Sequence, residues 1–246
     1  MDKSYSIKEA AKILNVNAQT LRRWDKSGRL SARKVAAGKI KYFCYTANAL
    51  EEFLSNDWRA FLKLAKRWSM NAAPPDLPGR FYCADKAIFK ARLSRFEFDL
   101  KSIPELEQTF PLLVAIVGEI GNNSFDHNLG NWPDINGILF GYNLSEKKII
   151  LADRGQGVLT TLRQIKPELS DHQAAVRVAF TEIISGRAPE SRGNGLKFVR
   201  EVIAGNNFKL RFQSGDAVLK LKKNDRLLTI QPSANFLPGC QALLEF

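Results

Sequence analysis

The chain has 246 residues, 45% of them hydrophobic and 25% charged, with 16 Gly and 10 Pro; these proportions exclude wholesale disorder and collagen-like repetition. The longest nearly uncharged apolar stretch, Phe110 to Gly118, is far shorter than the roughly 18 to 20 residues that cross a bilayer, so no membrane span is expected. Cys44, Cys83 and Cys240 are scattered and show no Cys-x-x-Cys spacing, and no apolar signal region lies near Met1, so the chain is expected in a reducing cytoplasm with neither disulfide framework nor zinc cluster.

The formal charge of +12 is unevenly spread: residues 1–70 hold 15 Lys and Arg against 6 Asp and Glu, the remainder 22 against 19. That asymmetry points to a polyanionic partner for the first quarter of the chain. Tyr5 to Leu14 has helical apolar spacing (Ile7, Ala10, Ala11, Leu14), with Ser6 and Glu9 placed as a capping box. After the polar turn Asn15-Val16-Asn17, a second helix is predicted over Ala18 to Ser27, with Asn17 as N-cap and Gly28 at its end. Two short helices on so small a turn have the helix-turn-helix shape, whose second helix enters the major groove. Leu21 and Trp24 would face inward, leaving Gln19, Thr20, Arg22 and Arg23 to reach base edges and phosphates. Leu30 to Tyr45 then reads as a β-hairpin wing offering Arg33, Lys34, Lys39 and Lys41 to the phosphate backbone, and Thr46 to Leu54 as a closing helix.

The segments Tyr5-Ser6-Ile7-Lys8-Glu9-Ala10-Ala11, Thr20-Leu21-Arg22-Arg23-Trp24-Asp25 and Gly28-Arg29-Leu30, in that order, resemble the winged helix-turn-helix of the MerR and excisionase type. The resemblance covers about residues 4–55 and implies double-stranded DNA as partner. The stretch after it, Asn56 to Ser69, is short and rich in Trp and Lys, unlike the long dimerising coiled coil usual in MerR regulators. Three prolines between Asn71 and Pro78 cannot continue a helix or a central strand. The division expected is therefore a DNA-binding domain at 1–55, a helical and Pro-rich linker at 56–80, and a second domain at 81–246.

In that second part Thr109 to Asn128 reads as a helix with a buried stripe of Leu113, Ile116, Val117 and Ile120, beside which Glu119 and Asn123 lie one turn apart. A carboxylate and an amide oxygen so placed can hold a hydrated Mg²⁺ and orient a water, although such a pair also arises on any solvated helix face. Lys148 to Ala152 reads as a strand ending at Asp153, followed by a turn with Gly155 and Gly157; an acceptor-only carboxylate there can recognise an exocyclic amine. Arg192-Gly193-Asn194-Gly195-Leu196 opens a helix, where backbone N–H groups can close on phosphate. Each Gly pair taken alone also fits an ordinary turn.

Taken in order, Glu119-x-x-x-Asn123, Asp153-x-Gly155-x-Gly157 and Gly193-x-Gly195 resemble the N, G1 and G2 boxes of the GHKL ATPases, the superfamily of gyrase, Hsp90, histidine kinases and MutL. The resemblance runs from about Phe110 to the C-terminus. It implies an α/β sandwich with a mixed sheet (Gly137 to Asn143, Lys209 to Gln213, Ala217 to Lys222, Leu227 to Ile230, Ala242 to Phe246) covered by helices on one face. The whole chain is then an α+β two-domain protein. By the same resemblance Glu119 is the general base, Asn123 the Mg²⁺ ligand, Asp153 the adenine contact, and Arg192, Gly193, Asn194, Gly195 and Leu196 the phosphate loop, with ATP and Mg²⁺ as cofactors. Pro238-Gly239-Cys240 stands where Pro-Gly-Thr is common in that superfamily, placing a thiol, a poorer hydrogen-bond partner, beside the adenine site. His127 falls toward the apolar stripe, where the plain expectation is a satisfied core histidine. A lid is expected between Gly157 and Gly193, with a helix over Asp171 to Ile184 and a hinge at Gly186 to Pro189.

With two histidines only, His127 and His172, and no His-Glu phosphoacceptor helix, a histidine kinase is not indicated. The reading expected is a DNA-binding regulator controlled by Mg-ATP binding and slow hydrolysis. Beside it stand a protein serine/threonine kinase of the anti-sigma kind acting on a protein partner, and a non-catalytic ATP sensor or DNA-binding scaffold. One recognition helix per chain also suits a homodimer on paired half-sites.

Overall fold

The computed structural model describes residues 3–37, 40–182, 195–225 and 227–246, and the chain divides into two compact units, Met1–Tyr82 and Cys83–Phe246.

In the first unit a three-stranded sheet in the order β1-β3-β2 packs with helices. β1 (Ser4–Ser6) runs into α1 (Ile7–Leu14), so Tyr5, expected at the start of the helix, is instead a buried strand residue paired with Tyr45. The helix begins at Ser6 because the capping box there is complete: the Ser6 hydroxyl accepts from the Glu9 N–H at 3.3 Å and the Glu9 carboxylate from the Ser6 N–H at 2.6 Å, a device worth about 1 kcal/mol. Asn15 closes α1 at φ 54°, a left-handed conformation that asparagine tolerates well. α2 (Ala18–Lys26) follows after three residues, with Asn17 Oδ1 accepting from the Thr20 N–H at 2.7 Å. β2 (Arg33–Ala37) and β3 (Ile40–Thr46) form the hairpin, and the Thr46 hydroxyl caps α3 (Ala47–Asn56).

The expected linker carries more structure than a tether. α4 (Trp58–Met70) buries Trp58, Phe61, Leu64, Ala65 and Trp68, a helical stripe that completes the core of the first unit. The Arg67 guanidinium donates to the carbonyls of Ile13 at 3.1 Å and Lys12 at 2.7 Å. These carbonyls belong to the last turn of α1, where helix oxygens lack intrahelical partners.

The second unit is built on a five-stranded sheet ordered β4-β5-β6-β8-β7, formed by β4 (Tyr82–Cys83), β5 (Ile138–Asn143), β6 (Lys148–Asp153), β7 (Lys209–Lys222) and β8 (Thr229–Glu245). Within the mixed sheet expected here, the β5–β6, β6–β8 and β7–β8 pairings are antiparallel. The connections β5–β6 and β7–β8 are short hairpins, which leave no room for a parallel crossover. The four strands expected near the C-terminus are two long ones. β7 crosses an irregularity at Gly215 (φ 60°) without ending, and β8 stays paired with it on both sides.

Alternate residues of these strands, among them Phe140, Leu151, Phe212 and Leu244, join one core with α5 (Lys86–Lys101), α6 (Phe110–Asn128), α8 (His172–Thr181) and α9 (Gly195–Gly205). α7 (Gly157–Arg163) begins at the turn after β6. In α6 the faces divide by period: Ile116, Val117 and Ile120 are buried, whereas Glu119 and Asn123 are half-buried. Gly121 lets α6 and α5 approach closely, for a methyl at that position would lie within 2.8 Å of three ring atoms of Phe89. Gly121→Ala is therefore expected to destabilise the second unit by about 1–3 kcal/mol through overpacking, exceeding the roughly 1 kcal/mol that alanine gains in helix propensity. A lower urea midpoint for unfolding of that unit at unchanged slope is the result to look for; a midpoint equal to or above wild type contradicts the close packing.

Candidate functional site

Two surfaces collect the residues singled out in the sequence. The first is the outer side of α2. Leu21 is fully buried, so Gln19, Arg22 and Arg23, which follow the opposite arc of the helix, are exposed. Together with Asn17, Thr20 and Lys26 they line an open concavity, in which Lys26 was not foreseen. Thr20 is half-buried, its N–H taken by the Asn17 cap. Trp24 is half-buried too, stacked on Phe53 at 5.1 Å between ring centroids and covered by Arg29, whose guanidinium lies 4.6 Å from the indole and pairs with Asp57 at 2.9 Å. That clamp, with Asp25 accepting from the Ala32 N–H at 2.8 Å, fixes the exit of α2 toward the wing.

On the wing Arg33 and Lys34 are exposed. Lys34 lies cross-strand from Phe43 with its ammonium 5.7 Å from the ring. Tyr42 and Phe43 are themselves exposed, a feature that the basic pattern of the hairpin did not signal. Lys39 lies outside the described residues, and of Lys41 only the backbone, paired with Ala36, is described.

The second surface is a cavity of about 90 Å³, open to solvent, in the second unit, lined on the apolar side by Ile120, Val158, Leu162, Leu196 and Phe212 and on the polar side by Asn123, Ser124, His127, Asp153 and Cys240. The mixture of apolar walls with few polar groups is typical of small-molecule sites. Asp153 ends β6 and is 2% exposed. One carboxylate oxygen accepts from the N–H groups of Gly155 at 2.9 Å and Cys240 at 3.1 Å, and the other from the Ser124 hydroxyl at 2.7 Å. Burial nevertheless holds its carboxyl above the usual range, because the three donors only partly offset the lost hydration. The Cys240 thiol is pushed well above its ordinary value by burial and by the Asp153 charge, so it lines the cavity as a neutral thiol.

Three glycines permit this arrangement, for different reasons. Gly157 has φ 74°, the left-handed region that favours glycine, and faces the Pro238 carbonyl. Gly155 is not left-handed, but any Cβ there would overlap the Asn128 amide. A Cβ at Gly239 would fall on Asp153 and within 2.7 Å of the Gly155 N–H. Along α6, a Cβ at Gly195 would lie 2.5 Å from Glu119 Oε2 and 3.3 Å from Asn123 Nδ2, which brings the start of α9 against both of these residues. Leu196 lines the cavity beside them.

Arg192, Gly193 and Asn194, with the hinge expected at Gly186 to Pro189, lie outside the described residues. His127 departs from the core role expected of it: it is exposed and lines the cavity. It stands in the last turn of α6, just past the end of the apolar stripe. Sequence reasoning also passed over Ser124, Asn128 and Arg154. Arg154 is 5% exposed and holds Asp134 through two guanidinium nitrogens, one at 2.8 Å, which draws the Asp134 carboxyl below its usual range.

Residues 6–42 match the model of the MerR family regulatory protein. This MerR-type helix-turn-helix supports a DNA-binding regulator. Curated protein sequences and solved structures bring no match. Among the described residues, no helix is long and apolar enough to cross a membrane.

The environment of Asp153 sets a pH dependence. A folded-state pKa raised above the unfolded value means that the folded chain holds this proton more tightly. The stability so contributed is complete below the unfolded pKa near 3.8 and is lost as the pH rises through the folded one. Asp153→Asn removes the titration while keeping an acceptor for the two N–H groups. Its melting temperature should therefore rise relative to wild type as the pH is raised from about 4 through the folded-state pKa, as followed by thermal unfolding of both chains. A constant difference across that range contradicts the assignment.

Proposed function

We propose that the chain is a DNA-binding regulator whose second unit is a GHKL-type module that takes Mg-ATP in the Asp153 cavity and hydrolyses it slowly. The observation that carries this reading is the hydrogen-bond count at Asp153. An ionised carboxylate offers about four acceptor positions. Among the described residues, Ser124, Gly155 and Cys240 occupy three, and the group borders a largely apolar cavity. The remaining position suits a donor on a flat, mostly apolar ligand, as the exocyclic amine of adenine is.

The rest of the site fits a nucleotide with its metal. The near-contact of Gly195 with Glu119 and Asn123 is a cradle that a side chain would fill, and α9 opens there, so its first N–H groups favour an anion. Among the described residues no group of three or more His, Cys, Asp or Glu is placed to hold a metal by itself. That agrees with Mg²⁺, which is commonly held by one or two protein oxygens, the phosphates and water. Asn123 would be the protein ligand, with Gly193 and Asn194 closing on phosphate. Bound Mg-ATP supplies a phosphoryl group open to attack. Glu119 orients a water and takes its proton, Asp153 and Ser124 fix the base, and Val158, Leu162 and Leu196 exclude solvent from it. In the first unit, Gln19, Thr20, Arg22 and Arg23 read bases and phosphates in the major groove, while Arg33, Lys34, Lys39 and Lys41 hold the backbone. A homodimer would place two such helices on paired half-sites. Nucleotide can alter DNA affinity only by binding two states of the chain unequally.

Two experiments test these parts. Asp153→Asn should weaken ATP binding about 10- to 100-fold, the worth of a hydrogen bond to a charged group. Glu119→Ala should keep binding and lower the hydrolysis rate by about 10²- to 10⁴-fold. Calorimetry and phosphate release by the purified chain provide both readouts. Turnover that survives in Glu119→Ala removes the general base, and phosphate found on a second protein rather than in solution replaces hydrolysis with protein phosphorylation.

For DNA, a duplex is first selected from a random pool. Arg22→Ala should cost about 1–3 kcal/mol on that duplex and less on random DNA, whereas Lys34→Ala should weaken both alike and reduce the salt slope by about one. Equal losses on both duplexes in Arg22→Ala remove base reading by that residue.

A further inference from the structure

We infer that Asn128 is a positioning residue that holds the Asp153 turn in register for recognition of the base; the inference rests on the nucleotide reading above. Asn128 is the last residue of α6 and is 4% exposed. At a helix end the ordinary reading of asparagine is a cap, but here both ends of the amide are used across two elements. Its Nδ2 donates to the Ser124 carbonyl at 2.7 Å, and its Oδ1 accepts from the Gln156 N–H at 2.8 Å. The face of the same amide lies against Gly155, where no Cβ could be accommodated.

These contacts close a ring. Ser124 carries the hydroxyl that donates to one Asp153 oxygen, and Gly155 carries the N–H that donates to the other. Asn128 ties the backbone of the first to the turn containing the second. Each group of the ring is hydrogen-bonded, and such networks hold one geometry because a broken member leaves the others buried and unpaired. The Asn128 side chain thus determines where α6 ends relative to the 153–157 turn, and with it the direction of the acceptor position left open on Asp153. Loss of the ring should blur recognition of the base before it affects the phosphate end, which is built from Glu119, Asn123 and the start of α9.

The test compares wild type with Asn128→Ala in the full chain, with circular dichroism and melting temperature to establish that the variant folds. Hydrogen–deuterium exchange without nucleotide should accelerate in residues 153–158 and not in α9. Calorimetry should show ATP affinity lowered about tenfold or more and the preference for ATP over GTP reduced. A loss shared equally by ATP and GTP, or unchanged exchange at 153–158, overturns the inference. If wild type binds no nucleotide, the reading of the cavity fails by itself, and the exchange result alone still decides whether Asn128 holds the turn. A variant that does not fold is replaced by Asn128→Asp, which keeps the acceptor for the Gln156 N–H and loses the donor to Ser124; accelerated exchange at 153–158 is expected there too, and unchanged exchange overturns the inference.

Discussion

Burying a carboxylate costs several kcal/mol unless donors replace its water, and the second unit is arranged around meeting that cost at Asp153. Donors arrive from three separate places: the middle of α6, the turn after β6, and β8 at Cys240. Each can reach the carboxylate only because a neighbour gives way. Gly155 lies flat against Asn128, Gly239 presses on Asp153 itself, and Gly157 turns the chain into α7 beneath the Pro238 carbonyl. The register between β6 and β8, which pairs Ala152 with Gln241, carries Cys240 to its position. The strand pairing and the polar site therefore specify each other. A slip of one residue would turn Gln241 rather than Cys240 toward the carboxylate and move the apolar side chains of β8 to the opposite face.

The first unit solves a different problem with the same economy. α1 and α2 are too short to be stable alone, so their ends are closed by side chains: Ser6 and Glu9 at one, Asn17 at the next, Arg67 from α4 at the end of α1. Because the caps and the buried Leu21 set the rotation of α2, the exposed arc of Gln19, Arg22 and Arg23 follows from the packing and needs no partner to hold it.

Much of this was legible in the residues, and the rest was not for identifiable reasons. Capping residues act over three positions, so Ser6–Glu9 and Asn17 announced helix starts that the structure contains. The α6 stripe and the strand ending at Asp153 followed from periodicity. α5 did not, since its large apolar residues, Ile88, Phe89, Leu93, Phe96 and Phe98, run round the helix instead of along one stripe, and Phe98 is exposed. α7 is a single short segment after a glycine turn, with too few residues to show a period. Gly155 reads in the sequence as an ordinary turn residue, whereas in the structure it is an amide 27 residues earlier in the chain that leaves no room for a side chain there. Contacts of that kind leave no local trace. Arg154 and Asp134 were passed over for the same reason.

The bonds from Arg67 to the carbonyls of Ile13 and Lys12 bear on where the first unit ends as a transplantable part. A fragment stopped at the close of the hairpin and α3 would lose the guanidinium that satisfies the end of α1, along with the Trp58, Phe61 and Trp68 side chains of the shared interior. A graft onto a foreign protein would have to extend through Met70 to keep α2 at its native tilt. Evolutionary shuffling of such units would be bound by that same seam, inheriting α4 with them rather than trimming it away.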